Sequence, residues 1–428
     1  MKRKTLALFL AGALALGLLA GCNNSNDPGS NPSSDPGSNP SSNPGEVTDI
    51  TLKVWCPSNQ IDTGIMAEQQ KAFEAEHPEW KITWDTTAVG EDTCQESVLR
   101  DVEAAADVFF FANDQLPDLV SAGAIAQLGG SAAEMVNSTM APAVIDTAMS
   151  DGKLYAIPFT HNTFFMYYDK SLLSEDQVKS MEGIMGAETA DNVYNFYFES
   201  SGGWKLGAWY YGAGLPVFGP DGSDLSAGVA WNNATGLAVS NYLIDLINNP
   251  KCAYDGEIAV SELIGDHRLG AWWDGAWNYD TYHDVLGDDL GMAVIPTFNP
   301  DGTDYQLLGF YGSKCIGVNA KSKNPAAAVA FASFLGNEAN QVLRFEKSAQ
   351  IPTNMAAAES EAVKSNALAT VLVNESNNCS VMQPVNTTFS ARYWTYAGAI
   401  PTEMRSGAIN KDNVQSKLDT FVAAMTAE

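Results

Sequence analysis

The sequence predicts an α/β protein with two globular domains behind an exported leader, and three observations carry that expectation. Short β-type runs alternate with amphipathic helical stretches from Thr51 onward, the pattern of an open, mostly parallel sheet. The chain has 428 residues, enough after loss of a leader for two domains with large cores. Beyond the first 20 residues, no apolar run approaches the roughly 20 residues that a membrane-spanning helix needs.

The leader comes first. Lys2, Arg3 and Lys4 form a positive n-region, and Leu6 to Ala20 a short apolar h-region. Leu18-Leu19-Ala20-Gly21-Cys22 resembles the lipobox of bacterial lipoproteins, which implies a signal peptide over residues 1–21 and lipid on Cys22. Residues 22–46 repeat Asp/Asn-Pro and Gly-Ser groups with almost no apolar content. They are expected to be a disordered tether, because they bury too little to offset the entropy of ordering. The expected address is the extracellular face of the cell membrane, lipid-anchored. Without the leader, 20 basic and 51 acidic side chains remain, a formal charge of -31. That balance excludes nucleic acid as a partner and favours a monomer kept apart by self-repulsion. Cys56, Cys94, Cys252, Cys315 and Cys379 fit no metal or redox spacing. Their pairing stays open, including the option that all five are small buried apolar residues. No metal site or cofactor is expected.

The elements follow in order. Thr51 to Trp55 alternates like a strand. Ile65, Gln69, Ala72, Phe73 and Glu76 fall at helical intervals, and Pro78 stops that helix. Lys81 to Trp84 reads as the next strand, 93–105 as a helix, and Ala106 to Phe111 as a buried parallel strand. Gly152 to Pro158 reads as a hairpin or sheet edge entering a crossover, with Pro158 keeping Ile157 extended. Short helices are expected over 169–200 and a longer one over 226–248. Strands are expected at Gly291 to Pro296 and Ser313 to Val318, the second able to return to the first domain. Pro325 to Phe345 reads as one helix with proline near its start, and Val414 to Met425 as the last.

Several ordered stretches then carry a resemblance. They are Leu52-Lys53-Val54-Trp55 with the Ala72-Phe73-Glu74 helix, and Ala106 to Asp114 followed by Leu119, Ala122 and Gly123. Asp151 to Pro158 follows, with Tyr168 to Leu172 behind it, then Trp273-Asp274-Gly275-Ala276-Trp277, Val294 to Thr297 and Arg392-Tyr393-Trp394. From about Thr51 to the end the chain resembles the solute-binding proteins of ABC transporters, in the group that includes maltose/maltodextrin-binding proteins. The resemblance implies a two-lobe, periplasmic-binding-protein-like α/β fold with discontinuous lobes, hinge crossovers and a central ligand cleft. The expected lobes are 47–160 plus 313–358, and 161–312 plus 359–428.

It also implies a sugar site. Phe111 falls where an aromatic residue lines the cleft and Asp114 where a carboxylate grips hydroxyls. Trp277 and Trp394 fall where rings stack on glucose, and Tyr279 where another cleft aromatic lies. Trp204 or Trp209 replaces a stacking tyrosine, and Asn59 and Gln60 occupy a ligand-contacting loop. Two departures remove charge: Asn162 stands near a family glutamate and Gln115 at a family arginine. The residue chemistry agrees, since sugar rings need flat aromatic platforms and planar hydrogen-bonding groups. The dense groups around Trp204/Trp209, Trp272/Trp273/Trp277 and Tyr393/Trp394 are interleaved with Gly, Asn and Asp, which suggests loops. Packing is the competing role for each aromatic. Asp274 is balanced between accepting ligand hydroxyls and closing an Asx turn.

The expected function is a cell-surface lipoprotein that binds an α-glucan oligosaccharide (maltose, maltotriose or longer) and delivers it to ABC permease subunits. A glycoside hydrolase would need two carboxylates set across one bond, and no local signature commits such a pair. No Gly-x-Ser-x-Gly elbow, phosphate-binding loop or dinucleotide fingerprint appears either, so no catalytic residue is assigned. A glycan-holding surface protein without a transport role is the other alternative.

Overall fold

The computed structural model describes residues 47–199, 203–220 and 222–427. The expected signal peptide, Cys22 and the tether lie outside the described residues. Two sheets organise the rest. The first contains β1 (Thr48–Cys56), β2 (Trp80–Ala88), β3 (Val108–Ala112), β4 (Ala156–Asn162), β10 (Gly309–Val318) and β11 (Ser380–Met382). Its order is β11-β10-β3-β1-β2, with β4 also on β10. β1 runs parallel to β2 from Thr48↔Trp80 to Cys56↔Ala88, and parallel to β3. β10 is antiparallel to both β3 and β4. The second sheet contains β5 (Phe165–Asp169), β6 (Tyr194–Phe198), β7 (Cys252–Tyr254), β8 (Leu269–Asp274) and β9 (Leu290–Ala293), in the order β9-β5-β8-β6-β7.

The central strands β3, β5 and β8 are buried on both faces and read as near-continuous apolar runs, whereas the edge strand β2 alternates half-buried and exposed residues. In β3, Val108, Phe109, Phe110 and Phe111 are all fully buried. Around the second sheet, side chains alternate with period two. Phe164, Met166, Tyr168 and Trp273 face one core, while Phe165, Tyr167 and Trp272 face the other. Trp272 and Trp273 therefore belong to a buried strand, not to the loop their Gly/Asp-rich surroundings suggested.

The chain passes between the sheets twice, from β4 to β5 and from β9 to β10, and β10 is the more informative. Its first residues, Gly309 and Phe310, lie against the second-sheet core, where Phe310 packs on Tyr211, Phe389 and Tyr393. Its last residues, Cys315, Ile316 and Val318, belong to the first-sheet core. One strand thus enters both cores.

Other expectations meet local physics. The helix Ile65–Glu76 forms as expected, and Val414–Thr426 forms as the last helix. The helix expected over 93–105 is limited to Cys94–Arg100, that over 226–248 to Ala234–Ile247, and the span 169–200 contains strand β6. The Pro325–Phe345 run divides into Pro325–Leu335 and Glu338–Ser348. Asn337 starts the second helix by accepting a hydrogen bond from Asn340 N at 2.9 Å. A Cβ at Gly336 would lie 2.4 Å from Ile157 Cγ2, so glycine lets the break sit against β4. All five described cysteines are free and buried.

Candidate functional site

Loops at the carboxyl ends of β1, β2, β3 and β8 converge on one cleft of about 690 Å³, the position where open α/β sheets place ligands. Asn59 reaches it from the short helix Ser58–Asp62, which stands where a loop was expected after β1, Glu91 and Asp92 from the loop after β2, and Asp114 and Gln115 from the turn after β3. Asn162 ends β4, Lys314 comes from β10, and Trp277 and Asn278 follow β8. Helical segments contribute Trp204 and Trp394, with Gln383 from the loop after β11.

Three tryptophans form the apolar wall. The rings of Trp204 and Trp277 stack at a centroid distance of 6.2 Å with 25° between planes. Trp204 Nε1 donates to Gln383 Oε1 at 3.1 Å, fixing the ring's rotation. Trp394 is gripped edge-to-face by Phe310, Phe389 and Tyr393, while it remains half-buried on the cleft. Trp277 folds back over its own loop: a Cβ at Gly275 would lie 2.1 Å from the ring, so only glycine fits there.

The polar wall is equally fixed. Gln115 donates from Nε2 to the carbonyls of Glu91 (2.6 Å) and Asp92 (2.9 Å), and its Oε1 accepts from Gln95 N at 2.9 Å. It braces the loop after β2. Asn113 Oδ1 accepts from Ser313 N at 3.1 Å and ties the end of β3 to β10. Burial pushes the Asp114 carboxyl up to about 6, a hydrogen bond from backbone partly opposes this, and the nearby Asp118 adds to it. Lys314 Nζ lies 3.4 Å from Glu91 Oε2 and 4.6 Å from the centre of the Trp277 ring. Among the described residues Glu91 Oε1 and Asn59 Oδ1 have no hydrogen-bond partner. No group of three His, Cys, Asp or Glu side chains suited to a metal ion occurs among them.

The structure brings Trp277, Trp394, Trp204, Asp114, Asn162 and Asn59 to the cleft. It does not bring Phe111, Trp209, Gln60, Tyr279 or Asp274 to its lining. Phe111 is fully buried beside Phe109 in the first core, because β3 is central and apolar on both faces. Trp209 lies five residues beyond Trp204 on the helix Trp204–Gly212, about 140° around its axis. It packs on Trp273 and Phe298 instead. Gln60 is fully buried: its Nε2 donates to Gln350 Oε1 at 2.9 Å, and its Oε1 accepts from Arg344 Nε at 3.3 Å. Tyr279 stacks on His283 and leans on the core beyond the second sheet. Asp274 closes the loop that carries Trp277, accepting from Gly275 N (2.7 Å), Asn278 Nδ2 (2.8 Å) and the Tyr282 hydroxyl.

Sequence reasoning missed Glu91, Asp92, Lys314, Asn278 and Gln383. Two signals for them were present. Gly90-Glu91-Asp92 directly follows a strand, where sheet-end loops meet ligands, and Lys314 is the single charge in the otherwise uncharged run of β10.

Comparison with known proteins identifies the family. Residues 68–371 match the family model described as bacterial extracellular solute-binding protein. The galactooligosaccharide-binding protein of Bacillus subtilis (strain 168) is 25% identical over 289 residues, 63% of this chain and 65% of that protein. The maltodextrin-binding protein MdxE of the same organism is 26% identical over 297 residues, 62% of this chain and 68% of that protein. The chain thus spans about two thirds of the length of these curated relatives. A structure solved with acarbose is 36% identical, with a TM-score of 0.83, covering 89% of this chain and 99% of that one. Family and fold are those of non-catalytic binding proteins. The chain belongs to the bacterial extracellular solute-binding proteins, with the two-lobed α/β fold of the maltose/maltodextrin-binding type.

Proposed function

We propose that this protein binds maltose/maltodextrin-type oligosaccharides between its two lobes and delivers them to an ABC permease. The observation that carries the reading is the convergence of three half-buried tryptophans, Trp204, Trp277 and Trp394, on one cleft that also holds carboxylates and neutral amides. Apolar sugar faces suit the rings, and hydroxyl rims suit Asp114, Asn59 and Asn162. A maltodextrin-binding relative and a related structure holding acarbose support an α-glucan. A galactooligosaccharide is the second reading, favoured by the other relative.

In this reading 47–160 plus 313–358 and 161–312 plus 359–428 act as the two lobes. Ligand touching both favours the closed form by its differential affinity for that state, and the closed form docks on the permease. Lipid on Cys22 would hold the receptor at the outer face of the membrane. Calorimetric titration with maltose, maltotriose, galactooligosaccharide, cellobiose and xylobiose tests the ligand, with maltotriose expected to bind most tightly. Absence of heat with every oligosaccharide refutes the reading. Mass spectrometry of membrane-extracted protein should find acyl chains on an N-terminal Cys22, and an unmodified Cys22 in secreted protein refutes the anchor.

A further inference from the structure

Glu91 is the most unusual polar group on the cleft wall. It is only 8% exposed, yet just one of its carboxylate oxygens is engaged, by Lys314 Nζ at 3.4 Å. The other, Oε1, has no partner among the described residues. A buried acceptor left this way is costly unless a donor arrives. Gln115 holds the backbone carbonyls of Glu91 and Asp92 and so fixes where the side chain leaves the loop. Lys314 in turn sits 4.6 Å from the centre of the Trp277 ring, in reach of a cation–π attraction. Glu91, Lys314 and Trp277 therefore form a chain of contacts across the cleft. It starts on a loop of the first sheet, passes through β10 and ends on a loop of the second.

We infer that Glu91 Oε1 accepts a hydrogen bond from one specific hydroxyl of the bound saccharide, and that Lys314 is the positioning residue that aims this carboxylate beside the Trp277 platform. The inference rests on the oligosaccharide reading above and deepens it. A sugar stacked on Trp277 presents its hydroxyl rim at the ring's margin, beside the ammonium that holds Glu91. A hydroxyl donating to a carboxylate makes a short, charge-assisted bond. Lys314, 3.4 Å from Glu91 Oε2 and 4.6 Å from the centre of the Trp277 ring, fixes the distance between the hydroxyl reader and the stacking surface. With Asp92 and Asp114 also lining the cleft, three carboxylates face one lysine. The site thus selects a neutral hydroxyl donor and disfavours an acidic sugar at this position.

The test titrates wild type, Glu91→Ala and Lys314→Met with the trisaccharide that wild type binds best, maltotriose being expected, and with its monodeoxy analogues. Thermal melts confirm folding of each variant. In wild type, removal of one particular hydroxyl should weaken binding about tenfold, the usual scale for a bond to a charged group. Glu91→Ala should bind the parent sugar about tenfold more weakly and bind that one deoxy analogue equally well, so the discrimination disappears. Lys314→Met should lose part of the same discrimination and shift tryptophan fluorescence, with the other hydroxyl penalties unchanged. If Glu91→Ala does not fold, Glu91→Gln should narrow the same single penalty. Parental affinity in the Glu91 variant, or hydroxyl penalties identical to wild type, overturns the inference while the oligosaccharide reading stands. Failure of wild type to bind any oligosaccharide overturns both, and that outcome is visible without a variant.

Discussion

Trp394 shows how packing fixes one side chain of the cleft wall. Edge-to-face contacts from Phe310, Phe389 and Tyr393 hold its ring, so its orientation is fixed before binding and little rotamer entropy remains to be lost. Trp394→Ala should weaken oligosaccharide binding by well over a factor of about ten, read by calorimetry, as expected for a buried aromatic hot spot. Asp114 should make binding pH-dependent. Burial pushes its carboxyl up to about 6, and in the proposed role the ionised form is the stronger acceptor for sugar hydroxyls, so affinity should be full well above pH 6 and fall as pH drops through it. Stability should move the other way. A folded pKa above the unfolded one means that the folded state holds the extra proton, and stability declines as pH rises from about 4 to 6. Asp114→Asn should therefore stabilise the protein at pH 7 by about 1 kcal/mol, allowing for partial solvent access, and have no such effect at pH 4. Thermal melts at both pH values check this. Among individual residues, Trp277 and Trp394 were legible because short motifs fix their place beside a strand or in a helix. Phe111 was not, since an apolar run buried on both faces hides which end meets the cleft. Lys314 was missed because a single lysine within a strand looks like ordinary edge polarity.

At the scale of elements, the short helix Ser58–Asp62 after β1 illustrates how a site wall is braced from behind. Arg344, fully buried on the helix Glu338–Ser348, donates to Gln60 Oε1 at 3.3 Å, to Gln69 Oε1 at 3.4 Å and to the Leu335 carbonyl at 2.6 Å. Its guanidinium also lies against the Phe110 and Phe159 rings. Burial pulls its pKa down to about 9, with Cys56 and Glu91 opposing. One side chain thus joins the helix Ser58–Asp62 that carries Asn59, the helix Ile65–Glu76 and the helix Pro325–Leu335. Arg344→Met fills most of the space but leaves three acceptors unpaired, and should cost about 3 kcal/mol in urea unfolding. Gly275→Ala should act differently. The Cβ would displace the Trp277 ring, so sugar affinity should fall more than stability, which parallel titration and melting would reveal. Strands and helices with clean periodicity, such as Ile65–Glu76, were legible from sequence. The break at Gly336-Asn337 was not, because both flanking helices share an apolar stripe and only the close approach of Ile157 demands glycine.

On the scale of the whole molecule, β10 makes two cores depend on one strand, because its first residues pack in one and its last in the other. Neither core can lose its share of β10 without exposing apolar surface in the second. Unfolding should therefore be a single cooperative transition, with calorimetric and van't Hoff enthalpies in agreement, and two separate transitions would show that the lobes fold independently. The alternation that named an α/β protein was visible along the chain, but the route by which segments return to each sheet was not, since strand order is set by contacts between distant residues. The five thiols have a consequence for where such a molecule can be made. All are buried and unpaired, and burial pushes Cys56, Cys94, Cys252 and Cys379 up to about 12, with Cys315 raised by the same cause. Exchange chemistry needs an accessible thiolate, so the folded body offers neither a crosslink to reduce nor a nucleophile to oxidise. Ellman's reagent should find all five only after denaturation. Such a body matures without a disulfide-forming catalyst, and oxygen-free and aerated surroundings are equally hospitable to it.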